Sequence, residues 1–201
     1  MDIDPLELSK DDDEGKKDKA KSTLNAMVAV TIALLATFMG ICKVKDDNIV
    51  QAMQQAQAHS IDYWATEHAK GTEAKVYDTA ATQLEFLAAA NPKAQDAIKK
   101  FRQGQAKESK DKDEWQKKAE DADKDYDTLN YRDDQFDLSD TLLAISISML
   151  AVTALTGKRW LFWIAMAPTA LGILMGVAGL FGLKIHPDAI TNLLSVFGVL
   201  R

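Results

Sequence analysis

The sequence has one cysteine, Cys42, among 201 residues, so no disulfide can form within the chain. Glycine-rich phosphate loops are missing: Gly15, Gly71 and Gly104 stand alone. There is no His-x-x-x-His, Cys-x-x-Cys or Glu-x-x-His pair, the spacings that bring zinc ligands onto one face. His59 and His68 are nine residues apart, too far to share one helix face closely, and read as seam-flanking side chains. No serine or threonine is accompanied by a plausible base. These gaps leave no constellation for catalysis, so the expectation is a non-enzyme with no catalytic residue, no cofactor and no metal. Charge is also missing, over three long stretches, and those stretches organise the chain.

The first uncharged run is 22–42, with 21 residues; the second is 141–157, with 17; the third is 160–183, with 24. A helix needs about 20 apolar residues to cross the hydrocarbon core of a bilayer. The second and third runs are separated only by the Lys158-Arg159 loop, which predicts a membrane helical hairpin. The first run is too long for a typical signal-peptide core, and no A-x-A site follows it. It is expected to stay as an anchor, with Cys42 a small apolar residue at its edge. The interior of these spans contains no ionisable residue, which argues against a self-contained transporter. Hydroxyls at Ser146, Ser148 and Thr153 are expected to bond to backbone or across helices.

Between the runs, 43–140 carries 15 Lys/Arg and 21 Asp/Glu, and 1–21 carries 5 Lys and 8 acids. This acidic balance argues against nucleic acid, which selects clustered Lys and Arg. Residues 1–21 have few large apolar residues to offset ordering entropy and read as a disordered charged tail. In 43–140 the pattern is helical. Steps of four and three from Ile49 reach Ala56, Ser60, Tyr63, Glu67, Lys70, Ala74, Tyr77, Ala81 and Leu84. After Asn91-Pro92 they resume through Ala94, Ile98, Phe101, Glu108, Lys112, Trp115, Ala119, Ala122, Tyr126 and Phe136. A 3.5-residue repeat is the mark of a coiled-coil seam. Proline disfavours helix at the residue before it and suits a helix start, so the turn is placed at 91–92. The two arms are then antiparallel, each about 65 Å long at 1.5 Å per residue. Folding the chain there sets Glu67 and Lys70 opposite Glu108, Lys112 and Trp115, where the charges pair diagonally. The repeat runs on past Phe136 and Asp140, so the second arm and the second span are expected to form one helix.

Acids gather next to the spans. Asp46 and Asp47 follow the first; Asp133, Asp134, Asp137 and Asp140 precede the second. These last four are the acids that a hard cation could use. Pairing with Lys43 and Lys45, or marking the membrane boundary, are the simpler readings, and no metal site is predicted. In the third span Pro168 should kink the helix or be accommodated by a neighbour. Gly172 and Gly176 place small residues one turn apart, a face suited to close packing against a partner or within the chain. Residues 187–200 read as an interfacial amphipathic helix starting at Pro187.

The fold expected is an all-α integral membrane protein: three transmembrane helices with a long antiparallel coiled-coil-like hairpin between spans one and two. The cations of the short Lys158-Arg159 loop and of the tail place the N-terminus in the cytoplasm and the hairpin outside.

Trp64-Ala-Thr-Glu-His-Ala-Lys70 followed by Tyr77, Phe136-Asp137-Leu138, Ala154-Leu155-Thr156 with Lys158-Arg159-Trp160, and the glycine-rich third span resemble a bacterial membrane family, domain of unknown function 4337. The resemblance runs from about residue 20 to 183. It implies three spans and a bacterial inner-membrane location, and brings no catalytic residues. Glu67-His68 stand where Tyr-Gln is the family's pattern.

The function expected is a non-enzymatic scaffold or accessory subunit that presents the hairpin for protein–protein contact. Its partners would be the bilayer and another membrane protein or a second copy. The candidate interaction residues are Gly172, Gly176, Trp64, Lys70 and Trp115. The alternative is a component of an oligomeric channel or transporter, with the acidic cluster attracting cations at its mouth.

Overall fold

The structure, a computed structural model, describes residues 5–88 and 91–185, with side chains from residue 19 onward. The expected helix over 187–200 lies outside the described residues. All regular structure among the described residues is helical: α1 Pro5–Ala88, α2 Pro92–Thr156 and α3 Arg159–Phe181. All three are long and apolar enough to cross a membrane.

Helix α1 starts at Pro5, a residue accepted in a first turn because it lacks the N–H that a helix start leaves unbonded. Residues 5–21, expected to form a charged tail, are the first turns of α1. The physical reason is cooperativity: once the apolar run nucleates a helix, each added residue brings one bond for one residue ordered. Helix α2 starts at Pro92, and Asn91 caps it. The Asn91 side chain accepts from the Lys93 N–H at 3.0 Å, and its carbonyl from the Gln95 N–H at 3.1 Å. Helix α1 thus ends at Ala88 and α2 begins at Pro92, and α2 continues unbroken from the polar region through the second apolar run. Gly157 (φ 67°) ends α2, where the left-handed backbone favours a residue without Cβ. Gly182 (φ 65°) does the same for α3. Helix α3 passes unbroken through Pro168.

The chain divides into two compact units, 1–49 with 131–201 and 50–130. The first has a core drawn from all three helices. Leu24, Val28 and Leu35 of α1 pack with Leu143 and Leu150 of α2 and with Phe162 and Ala165 of α3. Its outward side chains are also apolar: Val30, Leu34, Val152, Leu155, Trp163 and Phe181 are all about half exposed or more. Helices that are apolar all round call for an apolar surrounding, a larger protein core or a bilayer. Glycine sets the α2–α3 contact. A Cβ on Gly172 would lie 2.8 Å from Leu143 Cγ, and one on Gly179 2.9 Å from the Phe136 ring. The hydroxyls of Ser146, Ser148 and Thr153 donate to the carbonyls four residues back in α2, at 2.8, 2.9 and 2.8 Å, one of the two expectations for them.

In the second unit the buried positions are seam positions: Ala56, Ser60, Glu67, Ala74 and Ala81 on α1, with Ala94, Ile98, Glu108, Ala119 and Ala122 on α2. Most are alanine, and small side chains at a contact shorten the distance between helices.

Candidate functional site

The second unit has a side-chain ladder along its length. Ser60 and Trp64 of α1 both donate to the Asp123 carboxylate of α2, Trp64 through Nε1 at 3.1 Å. Tyr63 packs on Trp115, ring centroids 5.5 Å apart, and Lys118 Nζ sits 3.9 Å from the Trp115 ring centre. Glu67 pairs with Lys112 at 3.3 Å, and Lys70 with Glu108 at 2.8 Å. Tyr77 meets Phe101 at 6.2 Å. Arg102 reaches back to Asp78 and Glu85. Partner numbers on α2 fall as those on α1 rise.

The polar layer in the middle is the predicted one, with Glu67 and Lys70 opposite Glu108 and Lys112. Glu67 and Glu108 are 9% exposed at the side chain, Lys70 is 28% and Lys112 40%. The acids thus lie in the seam, and the lysines reach over them from its edges. Lys70 bonds Glu108 and also Glu73 at 2.9 Å, so its ammonium is held charged well above the ordinary lysine range. The same bond to Lys70 holds the Glu108 carboxyl below its ordinary value. Asp123 is held down as well, first by the Ser60 hydroxyl and then by the Trp64 N–H. These acids are fixed as anions, each satisfied by donors.

Beside this layer lies a groove of about 560 Å³ lined by Trp64, Glu67, His68, Gly71, Lys75, Gln105 and Lys112, among others. His68 is exposed, with Nδ1 2.6 Å from Glu67 Oε2 and 2.8 Å from the Trp64 carbonyl. The lining mixes an indole, both charge signs and amides, a surface suited to polar contacts with another chain. Of the candidate interaction residues, Trp64 lies in the groove wall, Lys70 in the charged layer and Trp115 in the aromatic step beside it. Gly172 and Gly176 belong to the first unit and are buried against its own helices. A Cβ on Gly176 would meet Phe38 Cε1 and Ser139 Oγ at 2.7 Å. Packing within the chain is therefore the use to which this face is put.

The acids next to the apolar runs form a second cluster, inside the first unit. Asp46 is buried, whereas Asp47 is exposed. Lys43 Nζ holds Asp46 Oδ2 at 2.8 Å and Asp47 at 3.5 Å. Asp46 shares a small pocket with Asp137 and Asp140. Asp133 is pushed up to about 6, chiefly by burial, then by its hydrogen bond to Asp46 and by Asp137. Asp137 is pushed up by burial and by Asp46. Among the described residues, no three His, Cys, Asp or Glu side chains are placed to hold a metal ion.

A family model described as Domain of unknown function (DUF4337) matches residues 24–182. The chain belongs to the DUF4337 family. The matched span takes in the groove, the charged layer and the acidic cluster. No curated protein matches this DUF4337 chain, and no solved structure does.

Two features were missed in the sequence. Asp123 lies beside the seam position Ala122, so the repeat passes over it. Its signal was on the other arm, where Ser60 and Trp64, one turn apart, both need an acceptor. Asp46 was grouped with Asp47, and only its phase on the helix separates a buried carboxyl from an exposed one.

Proposed function

We propose that this chain is a non-enzymatic membrane scaffold or accessory subunit. Three spans hold it in a bacterial inner membrane, with the N-terminus in the cytoplasm. Residues 43–140 form an antiparallel helical hairpin outside, which presents the groove at Trp64, Lys75 and Lys112 to a partner protein or to a second copy.

The observation that carries this reading is the groove itself. Glu67, Asp78 and Lys112 in its lining pair across the seam, so that part of the surface is preorganised and loses little side-chain freedom on binding. The apolar outer surface of the first unit supports the membrane assignment. The falling partner numbers from Ser60–Asp123 to Glu85–Arg102 support the antiparallel hairpin.

The test is photocrosslinking from positions 72 and 105 in the full-length protein within native membranes. The expected result is a discrete adduct that Trp64→Ala weakens and that a probe at position 30 does not give. A chain that is monomeric in native membranes and forms no adduct from either groove position defeats the reading. Labelling of Lys93→Cys by an impermeant maleimide in intact cells tests the orientation. Labelling only after permeabilisation reverses it.

A second reading is favoured by one observation, the convergence of Asp46 with Asp137 and Asp140. A set of three-span units could turn such clusters toward a shared axis and attract cations to a pore mouth. Cation flux in liposomes that Asp137→Asn and Asp140→Asn together reduce would support it. An absence of flux would count against it.

A further inference from the structure

The acidic cluster of the first unit contains a buried carboxylate whose hydrogen bonding is incomplete. The Asp46 side chain is 5% exposed. Its Oδ2 accepts from Lys43, but its Oδ1 is buried with no N–H or hydroxyl donor in reach. An unsatisfied buried acceptor costs its full desolvation penalty, so native structures rarely keep one.

The group that faces it from the other helix is the Asp133 carboxyl, within hydrogen-bond reach of Asp46. Two ionised carboxylates cannot bond each other, because neither has a hydrogen to give. A carboxylic acid and a carboxylate can, and the bond is strong because one partner is charged. A proton held by the pair accounts for the bond to Asp133 and reduces the charge left on the buried Asp46 carboxyl.

We propose that Asp46 and Asp133 form a proton-binding site that clamps α1 to α2 within the unit built from 1–49 and 131–201. Lys43 balances the single negative charge that remains on the pair. When the proton leaves, as hydroxide or buffer base takes it from the Asp133 carboxyl, two carboxylates face each other and the clamp opens.

The surroundings suit this role. From α1 the charged groups facing the pair are Lys43 and Asp47; from α2 they are Asp134, Asp137 and Asp140. Arg132 is turned away and donates to the Gly179 carbonyl of α3 at 2.9 Å. Lys43 is therefore the cation that holds the pair, against several acids that disfavour a second negative charge. Burial and these acids raise the Asp133 carboxyl to about 6, inside the range a cell compartment reaches. A pocket of about 20 Å³ is lined by Asp46, Asp137 and Asp140, among others, with room for one water molecule. The sign follows from a raised carboxyl. The clamp is present in the protonated state and is lost as pH rises through about 6.

The test uses the full-length protein in lipid nanodiscs. Infrared difference spectra should show the C=O stretch of a protonated carboxyl that titrates away with a midpoint near pH 6. Asp133→Asn and Asp46→Asn should each abolish it. Amide hydrogen exchange in 43–50 and 131–138, corrected for intrinsic rates, should be faster at pH 7.5 than at pH 5, by up to about tenfold for a carboxyl held near 6 in the clamped state. Asp133→Asn supplies a permanent amide donor and should keep exchange slow at both pH values. Should Asp46→Asn fail to fold, Asp133→Asn and Lys43→Gln still decide the matter. Lys43→Gln removes the balancing cation and should raise the midpoint. A carboxyl band that survives Asp133→Asn overturns the proposal, as does exchange that is flat with pH in the parent protein.

Discussion

Ser139 Oγ donates a 2.8 Å hydrogen bond to the carbonyl of Gly172, fixing the register of α2 against α3. One turn on, Gly176 lies against the same Ser139 oxygen, and a Cβ there would be 2.7 Å from it and from the Phe38 ring. Gly176→Ala should therefore destabilise by about 1–3 kcal/mol through overpacking. At roughly 2–4 °C per kcal/mol, the unfolding midpoint falls by roughly 2–12 °C. Gly40→Ala is the control, because nothing lies within 4 Å of its added methyl. It should be neutral, or stabilising by up to about 1 kcal/mol from helix propensity. Helical circular dichroism against temperature in detergent separates the two. Equal effects at both positions would refute the packing account.

The three apolar runs, the helix start at Pro92 and the Glu67/Lys70 layer were all legible in the sequence. Each depends on a period or a local preference that a single chain displays. The diagonal pairing of Lys70 with Glu108 followed from folding the repeat about its turn. The facing of α3's glycines was not legible, because a small-residue stripe fits an internal neighbour and an external one equally. The choice is made by Phe38, Ser139 and Leu143, far away in the sequence. The burial of Asp46 beside an exposed Asp47 was hidden for a similar reason. Neighbouring residues on a helix point about 100° apart, and the phase is set by packing.

The Lys70–Glu108 pair should respond to charge exchange. Glu108→Ala leaves Lys70 with Glu73 alone and removes the buried half of the pair, so the unfolding midpoint falls. Lys70→Glu with Glu108→Lys should recover part of that loss, and Lys70→Glu alone none of it. The Glu108 carboxyl is depressed in the folded state, so its contribution is present above its ordinary value of 4.5 and fades as pH falls below that. Thermal unfolding between pH 3 and 7 should show this loss in the parent and a weaker one in Glu108→Ala. A double exchange no more stable than either single variant would show that the pair is not coupled.

Asp123 accepts from two donors, and the asymmetry of hydrogen-bond loss predicts an order. Asp123→Ala strands the Trp64 N–H and the Ser60 hydroxyl together. Trp64→Phe removes a donor along with its need for an acceptor, leaving Ser60 bonded. The first should lower the unfolding midpoint more than the second. Asp123→Ala should also shift the tryptophan emission, and the shift should vanish in a Trp64→Phe background. An emission change that persists there would assign it to another indole.

Helix α3 ends on borrowed donors. Arg132 gives Nη2 to the Gly179 carbonyl at 2.9 Å, and Gln135 gives Nε2 to the Leu183 and Ile185 carbonyls at 2.8 and 2.9 Å. Helix C-termini leave carbonyls unbonded and favour cations. Arg132→Ala should cost roughly 1–3 kcal/mol and speed amide exchange over the last turn of α3, leaving its first turn unchanged. Uniform exchange along α3 would mean that Arg132 does not act as a cap.

Thr31 and Thr37 in α1, Ser146, Ser148, Thr153 and Thr156 in α2, and Thr169 in α3 all donate to the carbonyl four residues back. Each helix thus satisfies these hydroxyls by itself before it meets a neighbour. In hydrocarbon an unbonded polar group costs several kcal/mol, so on the proposed membrane reading each helix is fit to enter lipid without a partner span waiting in place, and tertiary contacts such as Ser139 to Gly172 follow once the helices meet.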